Sequence, residues 1–242
     1  MAKEIGKGNS ISSQKEEETG LPLIAHLSPK SIMAEAYRTL RTNIIFSFQE
    51  HFKKSLLITS SGSGEGKTST LINLGITIAQ AGQKVLLIDS DLRFPNHHRI
   101  FKLDKSPGVT TALKGELPLE ACVRASQIPN LSILTSGDLP ANPSELINSS
   151  MRDLLEKLKE KFDIILLDSP PVITVTDAVV LATIVDAVIF IVQAYGPARE
   201  MIQEGITRLN NVNANILGVV INNFDVEKDY YYYYYRYYHH YR

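Results

Sequence analysis

An α/β fold, with a doubly wound and mostly parallel sheet covered by helices on both faces, is what this 242-residue sequence predicts. Three observations carry the prediction. Short β-rich runs alternate with helical ones through most of the chain. Several β-rich runs are apolar without a break, as in Ile164-Ile165-Leu166-Leu167 and Val188-Ile189-Phe190-Ile191-Val192, which suits parallel strands buried on both faces. Three of the runs lead into a Gly-rich loop or an aspartate, so polar groups collect at the carboxyl edge, where such sheets bind ligands.

Residues 1–27 carry Gly, Ser, Lys and the run Glu16-Glu17-Glu18 with few large apolar groups. They bury too little to repay their ordering entropy and are expected to be a flexible N-terminal segment. A first helix is expected from Ser28, with Pro29 just inside it, to about Phe52. Met33, Ala36, Tyr37, Leu40, Ile44 and Phe48 form its apolar stripe, and Glu35, Arg38 and Arg41 lie on the flank. Strands are then expected at Ser55–Ser60, Lys84–Asp89, Leu131–Thr135, Asp163–Asp168, Ala187–Gln193 and Ile216–Ile221. Helices are expected at Lys67–Ala81, Pro143–Lys161, Thr176–Ile184 and Pro197–Asn211. From Asp225 the pattern stops, so residues 28–224 read as one domain and 225–242 as an appended tail.

Composition narrows the function. A net charge of −1 gives no general attraction to nucleic acid or anionic membrane. The single cysteine, Cys122, excludes an intrachain disulfide and a four-cysteine metal site within one subunit. It reads as a small buried apolar residue, and a reducing cytoplasm fits. No apolar run approaches the roughly 18 residues of a membrane span, and the polar N-terminus does not resemble a secretion signal.

The strand Ser55–Ser60 runs into Ser61-Gly62-Ser63-Gly64-Glu65-Gly66-Lys67-Thr68-Ser69 and then a helix. That context marks a phosphate-binding loop. The glycines let backbone amides turn toward phosphate oxygens, and the helix N-terminus adds partial positive charge. Lys67 is placed to reach the β- and γ-phosphates and Thr68 to ligate Mg²⁺. The strict pattern wants a glycine where Ser61 stands. Two further strands end in Asp89-Ser90-Asp91-Leu92-Arg93 and Asp168-Ser169-Pro170-Pro171. In a parallel sheet all three ends open on one edge, so Asp89, Asp91 and Asp168 can converge on metal and phosphates. One of these carboxylates can take the proton of an attacking hydroxyl. Asn222 and Asn223, at the end of the last strand, either reach an adenine ring or form a turn.

Nine of the last 13 residues are tyrosine: Tyr230, Tyr231, Tyr232, Tyr233, Tyr234, Tyr235, Tyr237, Tyr238 and Tyr241. Beside a nucleotide loop, that cluster of phenols reads as a set of phosphoryl acceptors; alone it would read as a low-complexity end or an aromatic platform.

Together these motifs resemble the bacterial tyrosine kinases of capsule and exopolysaccharide synthesis, a branch of the P-loop NTPases related to the septum-positioning and plasmid-partition ATPases. The resemblance covers about Ser28 to Arg242. It rests on the loop Ser61 to Ser69, the Asp89-x-Asp91-x-Arg93 motif, Asp168-x-x-Pro171, Glu35-x-x-Arg38-x-x-Arg41 and the tyrosine tail. It implies ATP- and Mg²⁺-dependent autophosphorylation of the tail, in trans between subunits of a ring. Gly62, Ser63, Gly64, Glu65, Gly66, Lys67, Thr68, Ser69, Arg93 and Asn222 would bind ATP. Thr68, Asp89 and Asp168 would hold the metal. Lys67, Asp89 and Asp91 would act in catalysis, and Glu35, Arg38 and Arg41 in subunit contact. It further implies a cytoplasmic kinase recruited to the inner face of the plasma membrane by a transmembrane adaptor, a cognate tyrosine phosphatase, and other protein substrates, with no nucleic-acid partner.

A positioning ATPase without kinase activity is the alternative. Those relatives carry a signature lysine where this chain has Gly62, and nothing in them calls for a tyrosine tail. An iron–sulfur reductase of the superfamily needs two cysteines per subunit, and a nucleotide-gated docking module would gain no phosphate from ATP.

Overall fold

The protein is described by a computed structural model over residues 23–47 and 55–225. Two helices come first, α1 (Ile24–Leu27) and α2 (Ile32–Ser47). Strand β1 (Ser55–Ser60) leads into α3 (Lys67–Gln80) and β2 (Val85–Asp89). Three short helices, α4 (His97–Ile100), α5 (Val109–Leu113) and α6 (Leu119–Cys122), precede the two-residue strand β3 (Arg124–Ala125) and β4 (Leu131–Leu134). The rest alternates: α7 (Pro143–Lys159), β5 (Ile164–Asp168), α8 (Asp177–Ala182), β6 (Ala187–Gln193), α9 (Arg199–Asn211) and β7 (Ile216–Asn222).

The seven strands form one sheet in the order β3-β4-β2-β5-β1-β6-β7. Every neighbouring pair is parallel except β3 with β4. Side chains alternate across the sheet and divide the core in two. Leu56, Ile58, Val85, Leu87 and Ile189 pack under α1, α2 and α3. Leu57, Leu86, Ile88, Leu167 and Phe190 pack under α5 to α9. Burial on both faces is why the central strands read as unbroken apolar runs.

The N-terminal region departs from expectation. The helix expected from Ser28 is α2 and begins at Ile32, with Pro29 in the turn before it. Ile24 to Leu27, assigned by composition to the flexible segment, form α1 because two side chains of α3 tie Ala25 down. Its N–H donates to Asn73 Oδ1 at 2.9 Å, and its carbonyl accepts from Gln80 Nε2 at 3.1 Å. The stripe on α2 is also displaced: Ala34 and Ile44 are buried, Tyr37 and Leu40 partly so, while Met33 and Ala36 are exposed. Contacts to α3 set that rotation. Ala34 lets the helices approach closely, and Arg41 Nη1 donates to the Thr77 carbonyl at 2.9 Å. Phe48 and Phe52 lie outside the described residues, as does the chain beyond Asp225.

Candidate active site

Strand register brings the site together. Ile58 on β1 stands opposite Asp168 on β5, and Asp168 stands opposite Asp89 on β2. Two carboxylates therefore lie side by side at the carboxyl edge, next to the loop that leaves β1. The loop from Ser61 to Gly66 has Gly64 and Gly66 in left-handed backbone, at φ 78° and 90°. A Cβ at Gly66 would also fall 1.9 Å from Asn222 Nδ2, so the position admits only glycine.

Glu65 folds back to close the start of the loop. Its Oε1 accepts from the Ser61 hydroxyl at 2.6 Å and from the Gly62 N–H, and its Oε2 accepts from the Gln193 N–H at 3.3 Å. Ser61 thus has a buried partner of its own, which accounts for serine at a position where the motif has glycine. Asn222 Nδ2 donates to the Glu65 carbonyl at 3.0 Å, so the end of β7 braces the same loop. Lys67 Nζ lies across the loop, 3.1 Å from Ser60 Oγ and 3.3 Å from the Gly62 carbonyl. Burial lowers its pKa, and the charges of Asp168, Asp91 and Glu65 partly offset that.

Thr68 Oγ1 donates to Asp168 Oδ2 at 2.6 Å, joining the first turn of α3 to β5. Asp89 is fully buried. Its Oδ2 accepts the N–H groups of Asn96 and His97, both at 3.0 Å, and its buried Oδ1 has no hydrogen-bond partner among the described residues. Burial pushes its carboxyl pKa up to about 6, against the opposing charge of His97. Asp91 is only partly buried, and burial raises its pKa as well. Its Oδ1 accepts from the Arg93 and Phe94 N–H groups at 3.2 and 3.0 Å, holding the turn. The Arg93 guanidinium is engaged by buried Asp177, Nε to Oδ2 at 2.9 Å and Nη2 to Oδ1 at 3.3 Å. Ser144 at the start of α7 also donates to Asp177, so Arg93 links the turn to α7 and α8.

These residues fit a divalent cation. Asp89 and Asp168 are adjacent, the Thr68 hydroxyl is within reach, and the partnerless Asp89 Oδ1 is a buried acceptor in need of a charge or donor. Among the described residues, Asp89, His97 and Asp168 offer ligand atoms within 4.8 Å of one another.

Of the residues expected from sequence, the loop, Lys67, Thr68, Asp89, Asp91, Asp168 and Asn222 converge. Arg93 is at the site but bound to Asp177. Glu35 and Arg38 pair with each other on α2, 2.5 Å apart, and Arg41 packs α2 on α3. The nine tail tyrosines lie outside the described residues. Three participants were missed: Asp177, Ser144 and His97. Asp177 and Ser144 sit at helix starts and read as ordinary first-turn residues. His97 lies six residues beyond Asp91 and belongs to no periodic pattern.

Residues 53–223 match a family model described as an AAA domain. The chain is 37% identical over 207 residues to "Tyrosine-protein kinase YwqD" of Bacillus subtilis (strain 168), covering 85% of this chain and 87% of that protein. It is 38% identical over 216 residues to "Putative tyrosine-protein kinase CapB" of Staphylococcus aureus, covering 89% and 95% respectively. The solved kinase domain of Escherichia coli tyrosine kinase ETK has a TM-score of 0.80 and 31% identity, over 86% of this chain and 82% of that one.

Proposed function

The chain belongs to the bacterial tyrosine-protein kinases, and from that premise we propose that it transfers the γ-phosphoryl group of ATP to its own C-terminal tyrosines, in trans between subunits. The observation that carries the reading is the strand register, which sets Asp89 against Asp168 beside Lys67 and Thr68 on the edge where the phosphate loop opens.

In this mechanism the loop amides and Lys67 hold the phosphates, and Asn222 lies at the adenine end. Thr68, Asp168 and Asp89 would hold Mg²⁺, which would neutralise phosphate charge. Arg93 acts at one remove, keeping the Asp91 turn in place through Asp177. An entering tyrosine meets Asp91 first, because Asp91 is the more exposed carboxylate of the pair. The phenolic proton passes to that carboxylate as the oxygen attacks the γ-phosphorus, and ADP leaves with the bridging electrons.

Exposed apolar groups on α2, Ile32 at 88% and Phe46 at 84%, support a homo-oligomeric ring built through that helix. Among the described residues no helix is long and apolar enough to cross a membrane. We further propose recruitment to the inner face of the plasma membrane by a transmembrane adaptor, and reversal by a tyrosine phosphatase. The positioning-ATPase alternative lacks its signature lysine at Gly62.

Incubation with ATP and Mg²⁺ followed by intact-mass measurement tests the reading. Mass should rise in phosphate steps confined to the last 13 residues. Mixing Lys67→Met protein with a tail-truncated wild type should label the Lys67→Met chain. Labelling that never crosses between chains would overturn transfer in trans, and no mass gain would overturn the acceptor role of the tail.

A further inference from the structure

His97 is fully buried, yet its ring is aimed at the site and away from the apolar core. Its Nε2 lies 3.3 Å from Asp168 Oδ2, while its own backbone N–H holds Asp89 Oδ2. One residue at the start of α4 therefore touches the carboxylates of two neighbouring strands. The Asp168 contacts show why this matters. Oδ1 accepts from the Ser169 N–H at 3.1 Å, and Oδ2 is shared between the Thr68 hydroxyl at 2.6 Å and His97. A hydroxyl has one donor and two lone pairs, so Thr68 can turn a lone pair to a cation and keep its O–H on Asp168. The imidazole is the second side-chain donor on the same carboxylate oxygen.

We propose that His97 is a positioning residue for the metal site, its Nε2–H holding Asp168, together with the Thr68 hydroxyl, in the orientation that receives Mg²⁺. The proposal rests on the reading of Asp168 as a metal-holding residue. A buried histidine that merely fills space would contribute equally with and without metal. A positioning histidine contributes where the cation is present, because orienting partners of metal-holding groups typically govern about 10–100-fold in metal affinity. Placing the ring proton on Nδ1 alone would bury a donor that has no partner and turn a lone pair toward Asp168, so Nε2 is the protonated nitrogen.

The test compares wild type, His97→Phe and His97→Gln by titration calorimetry of ADP, in EDTA and across a Mg²⁺ series. A glutamine amide nitrogen falls near the position of the histidine Nε2, so Gln should restore what Phe removes. The expected result is equal ADP affinity in EDTA within about twofold for all three. The half-saturating Mg²⁺ concentration should rise about 10–100-fold in His97→Phe and return to within about threefold of wild type in His97→Gln. Equal Mg²⁺ dependence of Phe variant and wild type overturns the proposal, as do a loss of the same size in EDTA and a Gln variant no better than Phe. Wild-type ADP binding that ignores Mg²⁺ would instead overturn the metal reading of Asp168. Should the variants not fold, ¹⁵N-histidine NMR of wild type decides: the His97 Nε2 must carry a proton, and a bare Nε2 rejects the assignment.

Discussion

At Asp89, burial raises the carboxyl pKa from 3.8 to about 6, and the consequence for stability has a definite sign. A proton bound more tightly in the folded state stabilises the fold below the unfolded pKa, and that contribution is lost as pH rises through 6. The gap corresponds to on the order of 3 kcal/mol. Replacing Asp89 with Asn keeps an acceptor for the Asn96 and His97 amides and removes the buried charge. In EDTA, the variant should melt above wild type at pH 8, with the two curves converging toward pH 4, while tail labelling falls by about 10²–10⁴-fold. Melting curves at three pH values in EDTA check the stability half, and phosphate incorporation checks the other. An Asp89→Asn protein that is less stable at pH 8 would mean that its charge is already compensated in the metal-free site.

Helix α9 sits against β6 at Gly205, where a Cβ would lie 2.8 Å from Phe190 Cζ and 3.1 Å from Val172 Cγ1. Alanine gains about 1 kcal/mol of helix propensity over glycine, but overpacking a tight core costs about 1–3 kcal/mol. Phe190 is fully buried and cannot turn aside. Gly205→Ala should therefore lower unfolding stability by up to about 2 kcal/mol, as read by urea denaturation. A gain would show that α9 can lift off the sheet. The same elements show what sequence can and cannot convey. The strands Ser55–Ser60 and Ala187–Gln193 occupy the expected residues because burial on both faces writes itself as an unbroken apolar run. The phosphate loop was legible for a related reason, since its glycines answer to local backbone needs. The helices α4, α5 and α6 were not, being four or five residues long and too short for a helical period. His97 escaped with them, because the helix start is fixed by Asp89, at the end of the preceding strand, capturing the first N–H of α4 across a turn that has no periodic pattern. The apolar stripe of α2 was misplaced because Arg41 and Ala34 fix its rotation through contacts with α3.

For the whole molecule, assembly should follow the charge of the tail. Residues 225–242 hold three acidic and three basic groups, close to neutral with neutral histidines. Nine phosphotyrosines would add roughly −14 to −18, and such a tail is repelled by Asp89, Asp91 and Asp168 of a neighbour. Lys67→Met protein should thus form a larger oligomer than phosphorylated wild type in light scattering at equal concentration. Phe46→Ser should shift either toward monomer with little cost to folding, since that ring is already exposed. Equal masses throughout would reject both the charge switch and the role of α2. The brace between Asn222 and the Glu65 carbonyl has a different use. It makes the root of the tail move with the phosphate loop, and Phe224, half-exposed, lies two residues beyond it. The chain contains no tryptophan. A single Phe224→Trp substitution would therefore give one indole, excited selectively to the red of the absorption of the 11 tyrosines, and its spectrum should shift when nucleotide fills the loop. An emission maximum unchanged by saturating ADP and Mg²⁺ would show that loop and tail root are mechanically independent.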